Sequence, residues 1–90
     1  MNLTNNMNFN IKILPLGDHF VVITRDKKTN QVLDTFKINE VGADMLKLLC
    51  EGKNENAISE VISLMYDAPI DNVRKDVSMF LGQIKRKGFI

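Results

Sequence analysis

The feature that most constrains this chain is a change of hydrophobic period at Ile38-Asn39. Up to Lys37 apolar residues recur at intervals of two, and from Val41 onward they recur at three and four. The first spacing belongs to strands with a buried face and the second to helices with an apolar stripe. In a chain of 90 residues both kinds of element must share one core, because so short a chain buries surface enough for one domain only. The expected fold class is therefore α+β: an N-terminal three-stranded antiparallel sheet followed by three helices, winged-helix-like in content.

Within the first half, Phe9, Ile11 and Ile13 alternate with Asn10 and Lys12, which predicts a strand over 9–14. Pro15, which has no amide to donate, should end it, with Gly17-Asp18 as the turn. The β-branched and aromatic run from His19 to Arg25 predicts a second strand, and Asp26-Lys27-Lys28-Thr29-Asn30 a polar hairpin loop. Gln31 to Lys37 reads as a third strand, Val32, Asp34 and Phe36 on one face and Leu33, Thr35 and Lys37 on the other. Residues 1–8, polar and Asn-rich, are expected to form a flexible N-terminal extension to a domain over 9–90.

In the second half, Asn39 is a favoured N-cap. The helix after it should bury Val41, Met45, Leu48 and Leu49 and stop at Gly52. Gly42 inside that helix points to a close approach of backbone, since glycine there costs ~1 kcal/mol relative to alanine. Asn54 opens a second helix carrying Ile58, Val61, Ile62 and Met65. Pro69 sits at the start of a third, with Val73, Val77, Phe80 or Leu81, and Ile84 inward and Gly88 at its end. Phe89 and Ile90 should fold back onto the core.

The candidates for chemistry are few. His19 has no cysteine or carboxylate pattern around it and reads as a strand-end histidine, while Cys50 beside Leu48 and Leu49 reads as a small buried hydrophobe. The glycines form no phosphate loop. These residues supply no catalytic constellation, metal set or cofactor motif, so the expectation is a protein that is not an enzyme. One cysteine, no apolar run of membrane-spanning length and no signal-peptide pattern suit a cytoplasmic location without membrane association. A formal charge of +1 lacks the basic excess of a nucleic-acid binder. A winged-helix DNA-binding regulator is the alternative, raised by Arg74, Lys75, Lys85, Arg86 and Lys87 on the last helix, but the strands here precede the helices.

A three-stranded sheet has edges, and an edge is either covered or used. If the last helix lies beside the third strand, the two form a groove with main-chain groups on one wall, suited to an extended peptide. A covered edge, or one paired in a homodimer, is the alternative use.

Ile38-Asn39-x-x-Gly42-x-x-Met45-Leu46-x-Leu48-Leu49-x-x-Gly52, followed by Val73-x-x-Asp76-Val77-x-x-Phe80-Leu81-x-x-Ile84-x-x-x-Gly88-Phe89-Ile90, resembles the PqqD family over roughly residues 17–90. The resemblance implies a peptide-recognition domain that binds the leader of a ribosomally made precursor peptide as an added strand. It then presents that leader to a modifying enzyme: a radical SAM enzyme, a cyclodehydratase or a leader protease. It implies a monomer or weak dimer, no cofactor and no nucleic acid. By position, Val32, Leu33, Asp34, Thr35 and Phe36 would supply the strand edge. Arg74, Lys75, Ser78, Met79, Leu81 and Lys85 would flank the peptide from the helix. Two flanks of that helix are open: Arg74, Ser78, Leu81 and Lys85, or Asp76, Met79 and Gln83. The first is preferred, because it mixes an apolar anchor with donors for an acidic leader. Asp76 has a structural alternative, bonding a loop amide.

Overall fold

A computed structural model describes residues 9–88. The flexible extension expected over residues 1–8 and the inward fold expected of Phe89 and Ile90 lie outside the described residues. Three strands, β1 (Phe9–Leu16), β2 (His19–Asp26) and β3 (Val32–Ile38), precede three helices, α1 (Glu40–Cys50), α2 (Glu55–Tyr66) and α3 (Ile70–Arg86). The sheet is antiparallel in the order β1-β2-β3, so β1 and β3 are its edges. The fold is α+β, as the change of period predicts.

The β1–β2 turn fixes which way each peptide group points. Gly17 and Asp18 form a two-residue loop between the paired Leu16 and His19, with φ of +67° at Gly17 alone of the two. Those signs are those of a type II′ hairpin, whose flanking residues are a hydrogen-bonded pair. Alternation along antiparallel strands then turns the peptide groups of Leu16, Leu14 and Lys12 toward β2 and those of Pro15, Ile13 and Ile11 outward. Here the structure corrects the expectation that Pro15 ends the strand. Pro15 pairs with Phe20 inside β1 because its amide-free nitrogen faces the open edge, where no ladder bond is lost.

The sheet lays one face on the helices: Ile11 and Ile13, Val22, Phe36 and Ile38 pack against a core of Met45, Leu46, Leu49, Ile58, Ile62, Val73, Val77 and Ile84. The helix starts are capped as expected. Asn39 Oδ1 accepts from the Gly42 amide at 2.7 Å, and Asn54 Oδ1 from the Ala57 amide at 2.8 Å. Past the end of α1 the Gly52 amide donates to Leu49 O at 3.0 Å and the Lys53 amide to Leu48 O at 3.1 Å, the two bonds of a Schellman stop.

Two buried stripes keep half of their expected residues and gain neighbours of them. On α1 Met45 and Leu49 are buried as expected, joined by Gly42, Ala43 and Leu46, with Leu46 fully buried, while Val41 and Leu48 lie on the flanks. Gly42, having no side chain, hides that stripe from a count of apolar residues. On α2 Ser59 is buried beside Ile58 and Ile62, its hydroxyl donating to Glu55 O at 2.9 Å, and Met65 is left 56% exposed. A small residue on that face admits α3, against which α2 packs. The α3 stripe of Val73, Val77 and Ile84 is buried as expected, with Phe80 and Leu81 partly so.

Candidate functional site

The site grows from the register of β3. Because the peptide groups of Phe20, Val22 and Thr24 face β3, their partners Ile38, Phe36 and Asp34 turn theirs toward β2. Thr35 and Lys37 therefore present outward-facing amides and carbonyls along the open edge. Toward the start of the strand this pattern is interrupted. The register steps from Asp34, opposite Thr24, to Val32, opposite Arg25, so Leu33 is an extra residue, a β-bulge. Val32 and Leu33 are 51% and 55% exposed.

α3 runs alongside β3 in the opposite direction. Near the end of β3, Lys37, Ile38 and Asn39 join Asp76, Met79, Phe80 and Gln83 of α3 around a cleft of about 470 Å³, with Val41, Gly42 and Met45 of α1 beneath them. A Cβ built on Gly42 would lie 3.1 Å from Asn39 Oδ1, a tight contact, and 3.4 and 3.5 Å from Ile38 Cβ and Phe80 Cε1, ordinary packing distances. The close approach that a glycine inside α1 predicts is therefore to the oxygen of its own N-cap. At the other end, Lys87 reaches from the C-cap of α3 to β3. Its Nζ lies 3.5 Å from Asp34 Oδ2 and 4.2 Å from the centroid of the Phe36 ring. From Asp76 to Lys87 the helix rises ~16 Å at 1.5 Å per residue, a length that about five residues of extended chain would follow.

The walls of this groove are mixed. Ile38, Phe80 and Met79, the last 67% exposed, give an apolar floor and lip. Lys37, Asp76 and Gln83 place polar groups at its rim. The Thr35 amide on the open edge donates to the carboxylate of its neighbour, Asp34 Oδ1, at 2.8 Å. Burial, and then the charge of Glu51, pushes the Cys50 thiol up, as suits a half-buried packing residue. His19 Nδ1 contacts Asp18 Oδ1 at 3.1 Å at the hairpin tip. Among the described residues no cluster of His, Cys, Asp or Glu could hold a metal ion, and no helix is long and apolar enough to cross a membrane.

The expected site residues separate into two groups. Thr35, Phe36 and Met79 meet at the groove, with Asp34 at its end. Arg74 and Ser78 instead border a separate cleft of about 170 Å³ with Glu55, Asn56 and Ser59 of α2. Leu81 packs against the core, and Lys75 and Lys85 are exposed away from both clefts. The flank of α3 that borders β3 is thus that of Asp76, Met79 and Gln83. Lys87 is the residue that the sequence places only among the basic residues of a DNA-binding alternative. The signal for it is spacing: Asp76, Phe80, Gln83 and Lys87 follow one another at four, three and four residues, along one stripe.

The family model described as coenzyme PQQ synthesis protein D (PqqD) matches residues 26–90. A search of curated proteins returned no match. Among solved structures, the chain superposes on TbiB1 in complex with the TbiA(beta) leader peptide, with a TM-score of 0.66 and 24% sequence identity, over 92% of this chain and 93% of that one. At that identity the likeness establishes the fold.

Proposed function

As this chain belongs to the PqqD family, we propose that it is a non-catalytic binder of the leader segment of a ribosomally made precursor peptide, which it presents to a modifying enzyme or leader protease. The observation that carries this reading is the groove itself. It joins outward amides at Thr35 and Lys37 to an apolar floor at Ile38 and Phe80, under a helix running the length of the strand. TbiB1, which shares the fold, is seen with a leader peptide bound. Main-chain bonds to the edge would supply affinity, and the cleft between Met79 and Gly42 would take an apolar anchor side chain.

On this reading the peptide adds antiparallel or parallel to β3 and touches α3 through Asp76, Met79, Gln83 and Lys87, while Arg74 and Ser78 face α2. Backbone shifts in labelled protein titrated with leaders of short precursors encoded beside its gene should concentrate at Thr35–Lys37 and along that flank. Shifts clustered around Arg74 and Ser78, or absent, would overturn the assignment. Lys37→Pro should weaken binding about fivefold to tenfold without unfolding the domain, because it deletes one edge donor and no bond to β2. Undiminished binding would exclude strand addition at this edge.

A further inference from the structure

Resting on the reading of β3 as the peptide edge, we propose that Asp34 is a built-in stand-in for an acidic residue of the peptide, and that Lys87 selects ligands carrying one. Three observations meet here. The Thr35 amide is the donor an added strand would use first, and it is already taken by Asp34 Oδ1 at 2.8 Å. The second oxygen of the same carboxylate lies 3.5 Å from Lys87 Nζ. Lys87 is held in turn over the face of the Phe36 ring, 4.2 Å from its centroid, where the ring's negative face attracts the ammonium. One carboxylate therefore occupies both the edge amide and the ammonium that this end of the groove offers to a strand.

A strand entering along β3 must lift that carboxylate off the Thr35 amide, since one N–H cannot give a full bond to two acceptors. The displacement is cheap on the Lys87 side, because the side chains of Lys87 and Asp34 are 37% and 45% exposed and such solvated pairs contribute little. Lys87 stays in place over Phe36 and needs a new or shared counter-charge. On an added strand, residues opposite Asp34 and Phe36 project to the same helix-facing side. An aspartate or glutamate at that position reaches Lys87 and replaces the contact Asp34 has given up. The groove is then closed by a self-contact in the free protein and opened by a peptide of matching charge at one position.

The test uses a displayed library of random short peptides, selected on wild-type protein and mapped by backbone shifts. Binders at Thr35 and Lys37 should be enriched in Asp or Glu at a single position, and selection repeated on Lys87→Gln should lose that enrichment. Asp34→Ala should bind the selected peptides about fivefold to tenfold more tightly, as expected when a bond that must be broken on binding is removed. Asp34→Asn, which keeps an acceptor for Thr35 and loses the charge, should gain less. In the free protein, Asp34→Ala should speed hydrogen exchange at the Thr35 amide. Binding at the edge with equal or weaker affinity for Asp34→Ala, enrichment that survives Lys87→Gln, or unchanged Thr35 exchange would overturn the stand-in while leaving the peptide edge intact. Peptides that bind elsewhere, or none that bind, would remove the leader-binding reading and this inference with it.

Discussion

The Asn39 side chain holds the first turn of α1 through one 2.7 Å bond to the Gly42 amide, at the point where the chain leaves β3. Asn39→Ala should cost ~1 kcal/mol in urea unfolding, and Asn39→Asp, which keeps the acceptor, much less. Caps of this kind are legible in a sequence because donor and acceptor lie three residues apart. Pro15 is misread for the converse reason: its cost depends on whether its nitrogen faces a neighbour or the edge, which the β1–β2 pairing decides. Another residue-level contact ties α1 to α2. The Tyr66 hydroxyl donates to Asp44 Oδ2, and that bond, with burial and the charges of Asp44 and Glu40, pushes the phenol from its ordinary 10.0 up to about 12. A raised pKa means that the bond contributes fully below pH ~10 and is lost as pH rises through about 12. Ultraviolet absorbance titration of this single tyrosine should show late ionisation in folded protein and an ordinary one in urea. Asp44→Asn should move it earlier.

The helices show how far an apolar period carries. It gives the number, order and ends of α1, α2 and α3, yet the buried stripes of α1 and α2 take in small residues beside the expected large ones. Gly42 and Ser59 are inner-face residues that no hydrophobic count selects; the first sits tight against its own N-cap oxygen and the hydroxyl of the second finds its own helix carbonyl. Leu46→Ala and Leu64→Ala make the contrast measurable. Leu46 is 0% exposed and its truncation should cost ~2–5 kcal/mol, whereas Leu64 is 83% exposed and its truncation should stay within ~0.5 kcal/mol. Equal effects in denaturant unfolding would contradict this placement of the two helices. The same reasoning explains the choice of flank on α3. Its apolar centre of Val73, Val77 and Ile84 is readable, but which side meets β3 depends on where α2 lies. Arg74 and Ser78 go to α2, leaving Asp76, Met79 and Gln83 for the strand.

For the molecule as a whole, the groove was foreseeable because it follows from counting: three strands leave edges, and a long last helix must lie somewhere along them. Its detailed chemistry was not, because the bulge at Leu33 and the reach of Lys87 to Asp34 are long-range arrangements without a local signature. The formal charge of +1 has a consequence for binding. A ligand held chiefly by main-chain bonds and an apolar anchor should lose less than about threefold in affinity between low and physiological salt, in contrast to the steep loss of a phosphate-bound complex. Calorimetric titration at two ionic strengths checks this. A gel-shift affinity for DNA that falls steeply with salt would instead favour the winged-helix DNA reading.

An open strand edge is also the surface through which copies of a protein can stack into fibres. The extra residue at Leu33 breaks the outward row of peptide groups, so only the stretch from Thr35 to Lys37 offers an uninterrupted ladder, bordered by the charges of Asp34, Lys37 and Lys87. So short a template cannot pass its pairing from copy to copy without the added grip of α3. On the proposed reading, the bulge thereby confines what β3 offers a guest strand to a stretch too short to make that edge a good seed for the domain's own aggregation.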